Sequence, residues 1–510
     1  MQKVLTVIKP IVFYLSLFLI CLAFSAHALG YDYDLWARLI VGKAFFQTGH
    51  ILTHDFLSYT PTHEWIDHEW GASVFIYAFQ KIFGANGIIY LQAILMFLIF
   101  AFVHRIISIN VPNYISKYNI IFYFIGIYVM QDVFFYPVRC HMFTFMFFAM
   151  FLYILEYTRH KNNYKPLIAI PFLMILWNNI HGGMVAGLGL LIIYAIGELL
   201  NKNKNYKYYI YALLATLPLL LINPYGYKFL QFLWMANTLD RADIVEWWGL
   251  FSPYHLYSYL AFKAFMLVIL VLELVKVIKT GFSYKELDKT KFLIILTTTI
   301  LAIQHLKLMR FFVIVAIAFT YIDFYELIKH FKLAKWKNLI VYSFIFLFSL
   351  SLLKLADFRP KVSYFFPVLE TEFVRTNNLN GKILVNLGLG SYVAYKLYPD
   401  NLIYMDGRYE EVYYDEMIPL LKKFHLVLDG WDEVLKKYPP DVMILENEYP
   451  IINKLQEMKN WHVAYRGKNF TVFVSDKLKR ESYAQPTMNY TYYENSVFDT
   501  RIDFRKKNNG

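Results

Sequence analysis

From residue 10 to residue 355 the chain alternates long uncharged runs of Phe, Ile, Leu and Tyr with short polar segments. A spanning helix needs about 20 consecutive apolar residues. On that scale the pattern predicts spans over 10–29, 87–107, 118–130, 142–157, 167–177, 184–199, 208–222, 260–278, 292–304, 311–327 and 339–355. The third, fifth and ninth are short, so about eleven spans are expected, within a range of ten to thirteen. Between the first two, apolar residues at helical spacing (Leu35, Leu39, Ile40, Phe46) predict a short helix lying in the membrane interface. Residues 70–83 form a second amphipathic stretch, and 223–259 a long connection.

The period changes after residue 356. Strands are expected at 382–386, 401–405 and 441–446, and helices at 391–397, 415–424, 432–437 and 449–459. A hairpin is expected from 462–465 and 470–474 around Gly467. Alternating strands and helices indicate a small α/β domain. The predicted division is a multi-span domain over 1–355 that includes the loop 29–71, an α/β domain over 356–480, and a loose tail over 481–510. The fold class is thus a polytopic α-helical membrane protein with a small α/β extracytoplasmic domain at the C-terminus.

Composition sharpens this. Charged residues make up 17% and apolar residues 58% of the 510 residues, against a usual quarter charged. The net charge of +12 sits in the apolar half, where Lys and Arg crowd the loops on one side of the predicted spans. The positive-inside rule then puts the N-terminus in the cytoplasm and the C-terminal domain outside. No basic block interleaves with aromatics, so no nucleic-acid partner is expected. Cys21 and Cys140 form no CxxC pair. The start (Lys3, Lys9, an apolar run, Ala26-His27-Ala28) resembles a signal peptide and is read as an uncleaved first span.

The loop 29–71 holds six acids (Asp32, Asp34, Asp55, Glu64, Asp67, Glu69), four histidines (His50, His54, His63, His68) and Trp36, Trp65 and Trp70. Asp32 and Asp34, beside Trp36 and Arg38, suit a base, a metal ligand or a plain interface residue. His54, Asp55, His68 and Glu69, with His63, are ordinary divalent-metal ligands; the rival role, for His68 and Glu69, is to cap and orient a helix beside Trp65 and Trp70. His68-Glu69-Trp70 lacks the second histidine of HExxH, so no metal cofactor is assigned and a divalent ion stays open. Arg139 and Arg310 lie near outer span ends, where snorkelling is the plain reading.

Several stretches together resemble bacterial polytopic glycosyltransferases of the GT-C fold, of the group related to dolichyl-phosphate-mannose protein mannosyltransferases. They are Asp34-Leu-Trp36, Gly42, Gly49-His-Ile51, Asp55-Phe-Leu-Ser58-Tyr-Thr60 and Trp65-Ile-Asp-His68-Glu69-Trp70. Pro137-Val-Arg139-Cys-His141-Met-Phe143, Trp177-Asn-Asn179-Ile-His181-Gly182-Gly183 and Asn223-Pro-Tyr-Gly226 follow in order. Lys307-Leu-Met-Arg310-Phe311, Gly388-Leu-Gly390-Ser391-Tyr392 and Tyr404-Met-Asp406-Gly407-Arg408 complete the set. Cys140, Lys307, Ser391 and Tyr404 depart from the group's usual residues. The resemblance implies transfer of a sugar from a polyprenyl-phosphate carrier to a glycan, lipid or protein acceptor at the outer face of a bacterial plasma membrane. It implies Asp34 as catalytic base, with Asp32 second. Arg139, Arg310 and Lys307 would meet the donor phosphate. Asp55, His68, Glu69, His141, Asn179 and His181 would line the pocket. Two other classes fit the chain: a transporter or flippase for a lipid-linked saccharide, and a non-catalytic envelope assembly protein with a degenerate transferase fold. Few ionisable residues fall inside the spans, which weighs against transport.

Overall fold

The computed structural model describes residues 2–26, 31–111, 119–131, 139–239, 241, 245–279, 287–328, 338–355, 366–486 and 499–505. Contacts divide the chain into two compact units: Met1–Ala28 with Ile89–Phe358, and Leu29–Ile88 with Arg359–Gly510. The first loop therefore belongs with the C-terminal part of the chain, a division the sequence does not suggest.

Unit one is helical. Each predicted apolar stretch carries a helix: Gln2–Ala26, Gly87–Asn110, Asn119–Gln131, His141–Lys161, Ala169–Ile180, Val185–Leu200, Tyr206–Thr216 (continued by the turn Leu217–Leu221), Leu260–Lys279, Lys289–Gln304, Met309–Ile328 and Asn338–Leu355. Among the described residues three stretches are long and apolar enough to cross a membrane: Trp70–Asn110, His141–Lys161 and Gly182–Leu200. Arg159 ties three helix ends together, with Nε 2.7 Å from Glu198 and Nη2 2.7 Å from Asp288. The long connection is itself structured. Asn223 opens it with a side-chain turn, its Oδ1 accepting the Tyr225 N–H at 3.1 Å. The helix Tyr227–Thr238 and the short turns Val245–Trp247 and Pro253–His255 follow.

Unit two is built on a five-stranded sheet: β1 (Gly381–Val385), β2 (Asn401–Ile403), β3 (Val442–Glu446), β4 (Trp461–Arg466) and β5 (Phe470–Ser475), in the order β2-β1-β3-β5-β4. β1 runs parallel to β2 and β3, while β5 is antiparallel to β3 and β4. All five fall where alternation and β-branched runs place them. β2 does not end the sheet. The Ile403 N–H donates to the Leu57 carbonyl at 2.9 Å and the Tyr59 N–H to the Ile403 carbonyl at 3.0 Å. The first loop thus covers a sheet edge that would otherwise invite pairing with another chain.

The helix predicted to lie in the membrane interface is instead core. In Leu35–Thr48, the residues from Leu35 to Gly42 and Ala44 are all buried. Trp36 packs its ring 4.9 Å from Tyr392, 5.4 Å from Tyr395 and 5.7 Å from Phe366. Gly42 lets the helix Trp70–Phe83 approach backbone to backbone, since a Cβ there would sit 2.3 Å from the Ser73 carbonyl oxygen. Val41 and Trp65 join Leu384, Tyr404, Met405 and Met443 in one apolar cluster. The predicted tail is partly packed. Ile502 and Phe504 are buried, and the Phe504 N–H donates to Gln47 Oε1 at 3.1 Å. Residues 487–498 and 506–510 lie outside the described residues.

Candidate functional site

The loop acids have separate fates. Asp55 is locked to Arg408, whose Nη1 lies 2.5 Å from Asp55 Oδ1 with both side chains buried. Arg408 Nε also donates to Asp406 Oδ1 at 2.8 Å and Nη2 to the Tyr413 hydroxyl at 3.0 Å. The guanidinium lies 4.6 Å from the Trp65 ring centre. Ser391, in the position where the resembling group carries glycine, donates its hydroxyl to Asp406 at 3.0 Å. An Asp–Arg pair thus lies within Asp406-Gly-Arg408, and Asp55 extends it to the first loop. Burial raises the Asp55 carboxyl, and the Arg408 charge outweighs it and holds the group below the usual carboxylate range.

A second network fixes the rest. Arg38 reaches Asp67 at 2.6 Å and Glu411 at 3.4 Å. His68 Nδ1 lies 2.6 Å from Glu411 Oε1, and Trp65 Nε1 donates to Glu411 Oε2 at 2.9 Å. Glu69 stands 3.5 Å from Arg38 and 3.6 Å from His68. Burial presses His68 downward, but Glu411 and Glu69 outweigh it and bring its pKa to about 9. Burial lifts Asp67 to about 6 against the pull of Arg38. Both folded values exceed the unfolded ones. Asp67 therefore loses its contribution to stability as pH rises through about 6. His68 contributes fully below about pH 6.5 and loses its contribution up to about 9. Thermal unfolding across pH 7–10 should show stability falling by up to roughly 3 kcal/mol as His68 deprotonates. In His68→Asn that fall should flatten; an unchanged profile would remove His68 as its source.

Four of the metal candidates have different partners within this unit. His54 is exposed and hydrogen-bonds Thr53 Oγ1 at 2.9 Å. Asp55 answers to Arg408, and His68 and Glu69 share Glu411 and Arg38. The catalytic candidates also separate. Asp32 is 1% exposed, and its Oδ1 accepts the Asp34 N–H at 3.0 Å. Asp34 is exposed at the start of the Leu35–Thr48 helix. Its Oδ1 lies 2.5 Å from where a Cβ on Gly407 would stand, so only glycine lets the carboxylate rest there. Of the two, Asp34 is the one presented to solvent, with Asp32 bracing its backbone.

Unit one gathers the basic candidates. Arg139 pairs with Glu246, and Arg310 donates to His141. Lys307 Nζ lies 4.0 Å and the Arg241 guanidinium 4.4 Å from the Trp247 ring centre. Burial raises the Glu246 carboxyl, and Arg139 foremost, then Arg310 and Lys307, bring it below the usual carboxylate range. Asn179 and His181 have structural bonds. Asn179 Nδ2 donates to the Ile222 carbonyl at 2.7 Å, and His181 Nδ1 accepts the Gly183 N–H at 2.8 Å. Sequence reasoning passed over Arg241, Glu246 and Trp247. Residues 240–249 (DRADIVEWWG) mix acids, a base and tryptophans much as the first loop does, and the same criterion would have marked them.

No protein-family model matches the chain, and no curated protein matches it. Among solved structures it is similar to the oligosaccharyltransferase of Archaeoglobus fulgidus, crystallised with an acceptor peptide containing the NVT sequon tethered by a disulfide bond. The TM-score is 0.55 at 10% identity, covering 85% of this chain and 69% of that one. At that identity the likeness is one of fold.

Proposed function

We propose that this chain is a membrane glycosyltransferase of GT-C type. It moves a sugar from a polyprenyl-phosphate carrier to a glycan, lipid or protein acceptor on the extracytoplasmic face of a bacterial plasma membrane. The observation that carries this is the gathering of Arg139, Lys307, Arg310 and His141 about one turn of the helical unit, from segments up to 171 residues apart in sequence (310 − 139). Such a cluster suits a phosphate that gains negative charge as it leaves. The fold likeness to an oligosaccharyltransferase supports the same reading.

In the reaction, the acceptor oxygen forms a bond to the sugar's anomeric carbon, and the carbon–oxygen bond to phosphate breaks. The bonding pair leaves with the lipid phosphate. Asp34 takes the acceptor proton, and attack opposite the leaving group inverts the anomeric centre. About eleven spans, an N-terminus inside and the α/β unit outside complete the proposal. The test is reconstitution of the full chain in vesicles with radiolabelled polyprenyl-phosphate sugars and an extract of envelope acceptors. Label should leave the carrier for an acceptor. Label that crosses the bilayer still attached to the carrier would make the protein a transporter instead.

A further inference from the structure

Glu246 is the unexpected member of the cationic cluster. It is an acid among bases that the proposed reaction needs for a phosphate. Its side chain is 44% exposed while that of its partner Arg139 is 21% exposed, so the carboxylate lies on the accessible side of the pair. The backbone that carries it is pinned. The His305 ring bonds the Trp247 carbonyl at 2.7 Å, the Leu306 N–H donates to the Trp248 carbonyl at 3.0 Å, and the Leu250 N–H to the Ile303 carbonyl at 2.9 Å. Trp247 is further held by Arg241 and Lys307. The turn is thus fixed to the segment that bears Lys307, and the Glu246 side chain is the part able to swing away.

We propose that Glu246 sets the affinity of the donor site: its carboxylate holds the place of the phosphate beside Arg139, and a ligand enters only by exchanging one anion for another. This rests on the reading that Arg139, Lys307 and Arg310 receive the donor phosphate. A neutral lipid gains nothing from such an exchange, since breaking the Arg139 pair leaves a charge uncompensated. A sugar phosphodiester carries one negative charge, so the exchange is nearly even. The lipid phosphate released by transfer is a monoester with a charge near −2, and it outcompetes the carboxylate. Displacing Glu246 costs the same whichever anion enters, so the carboxylate weakens the hold on the intact donor and on the released lipid phosphate alike, and keeps the product from being retained.

The test is binding of a polyprenyl phosphate to the full chain in lipid nanodiscs, with its methyl diester, the parent polyprenol and sodium phosphate as comparisons. Glu246→Gln keeps the size of the side chain and removes its charge. It should tighten binding of the monoester and of the diester alike, by about tenfold, with the preference between them unchanged. Glu246→Asp should restore the wild-type affinities. A purely structural Glu246 predicts weaker binding, and unchanged or weaker binding in Glu246→Gln would overturn the proposal. Arg139→Ala and Lys307→Ala separate the two levels. If they leave affinity for the monoester unchanged, the phosphate site itself is misassigned. If they weaken it while Glu246→Gln does not tighten it, only the role of Glu246 is lost.

Discussion

Replacing Arg408 by alanine is expected to leave the second unit unable to hold its fold. The guanidinium is wholly buried and compensates Asp55 and Asp406 at once. It also donates to Tyr413 and lies over Trp65. Removing it strands two carboxylates in a site with little water, a loss of about 3–5 kcal/mol for a broken buried pair. Against typical stabilities of about 5–15 kcal/mol, that is enough to deplete the native state. Size-exclusion profiles and yields of the detergent-solubilised full chain read this directly. Arg408→Lys should recover only part of the loss, because an ammonium lacks the planar fork that reaches three partners together. An alanine variant as monodisperse and heat-resistant as wild type would show that the network is not what joins the loop to the sheet.

Asp34→Asn should have the opposite profile, with a normal fold and almost no transfer. The side chain is exposed, and the amide has the same shape, so stability should change by no more than about 0.5 kcal/mol. Loss of the proposed base should cost about 10²–10⁴-fold in rate. The assay is release of sugar from the carrier, with unfolding measured on the same preparation. Asp32→Asn is the informative neighbour. Asp32 is buried and acts through the Asp34 backbone, so its loss should lower stability as well as rate. Gly407→Ala gives an independent check on position, because its Cβ would press to 2.5 Å from Asp34 Oδ1 and displace the carboxylate without changing charge. Full activity in Asp34→Asn would end its assignment as the base.

The apolar helices were readable because a helix that buries most of its surface needs a long uncharged run, and such runs stand out in any chain. The strands were readable for a similar reason: Lys382-Ile-Leu-Val and Asp441-Val-Met-Ile-Leu are short β-rich runs between turn residues. The joining of loop and sheet was not readable. Asp55 and Arg408 are 353 residues apart, and Arg38 and Glu411 are 373 apart; no local pattern encodes which acid meets which base. The Leu35–Thr48 helix was misplaced for a related reason. An apolar stripe at helical spacing looks the same whether lipid or protein covers it, and buried Arg38 is tolerable only because Asp67 and Glu411 await it. Acids that suggested a busy site from composition turned out largely to hold the fold. That leaves Asp34 as the sharper candidate. The same crowding of acid and tryptophan at residues 240–249 carried a signal that reading by apolar runs ignored.

The shared body of the first loop and the C-terminal sheet sets a rule of parity. An open sheet with charged loops cannot sit in hydrocarbon, where its edge groups would lack partners. Leu57 to Tyr59 are bonded into that sheet, so in the proposed membrane topology both stretches of chain occupy one side of the bilayer. The chain leaves this body at Ile88 and rejoins it at Arg359. However many times it crosses between those points, the number of crossings must be even. A helix gained or lost singly in that interval would tear strand from strand, so the stretch Ile89–Phe358 can change its span count only by pairs.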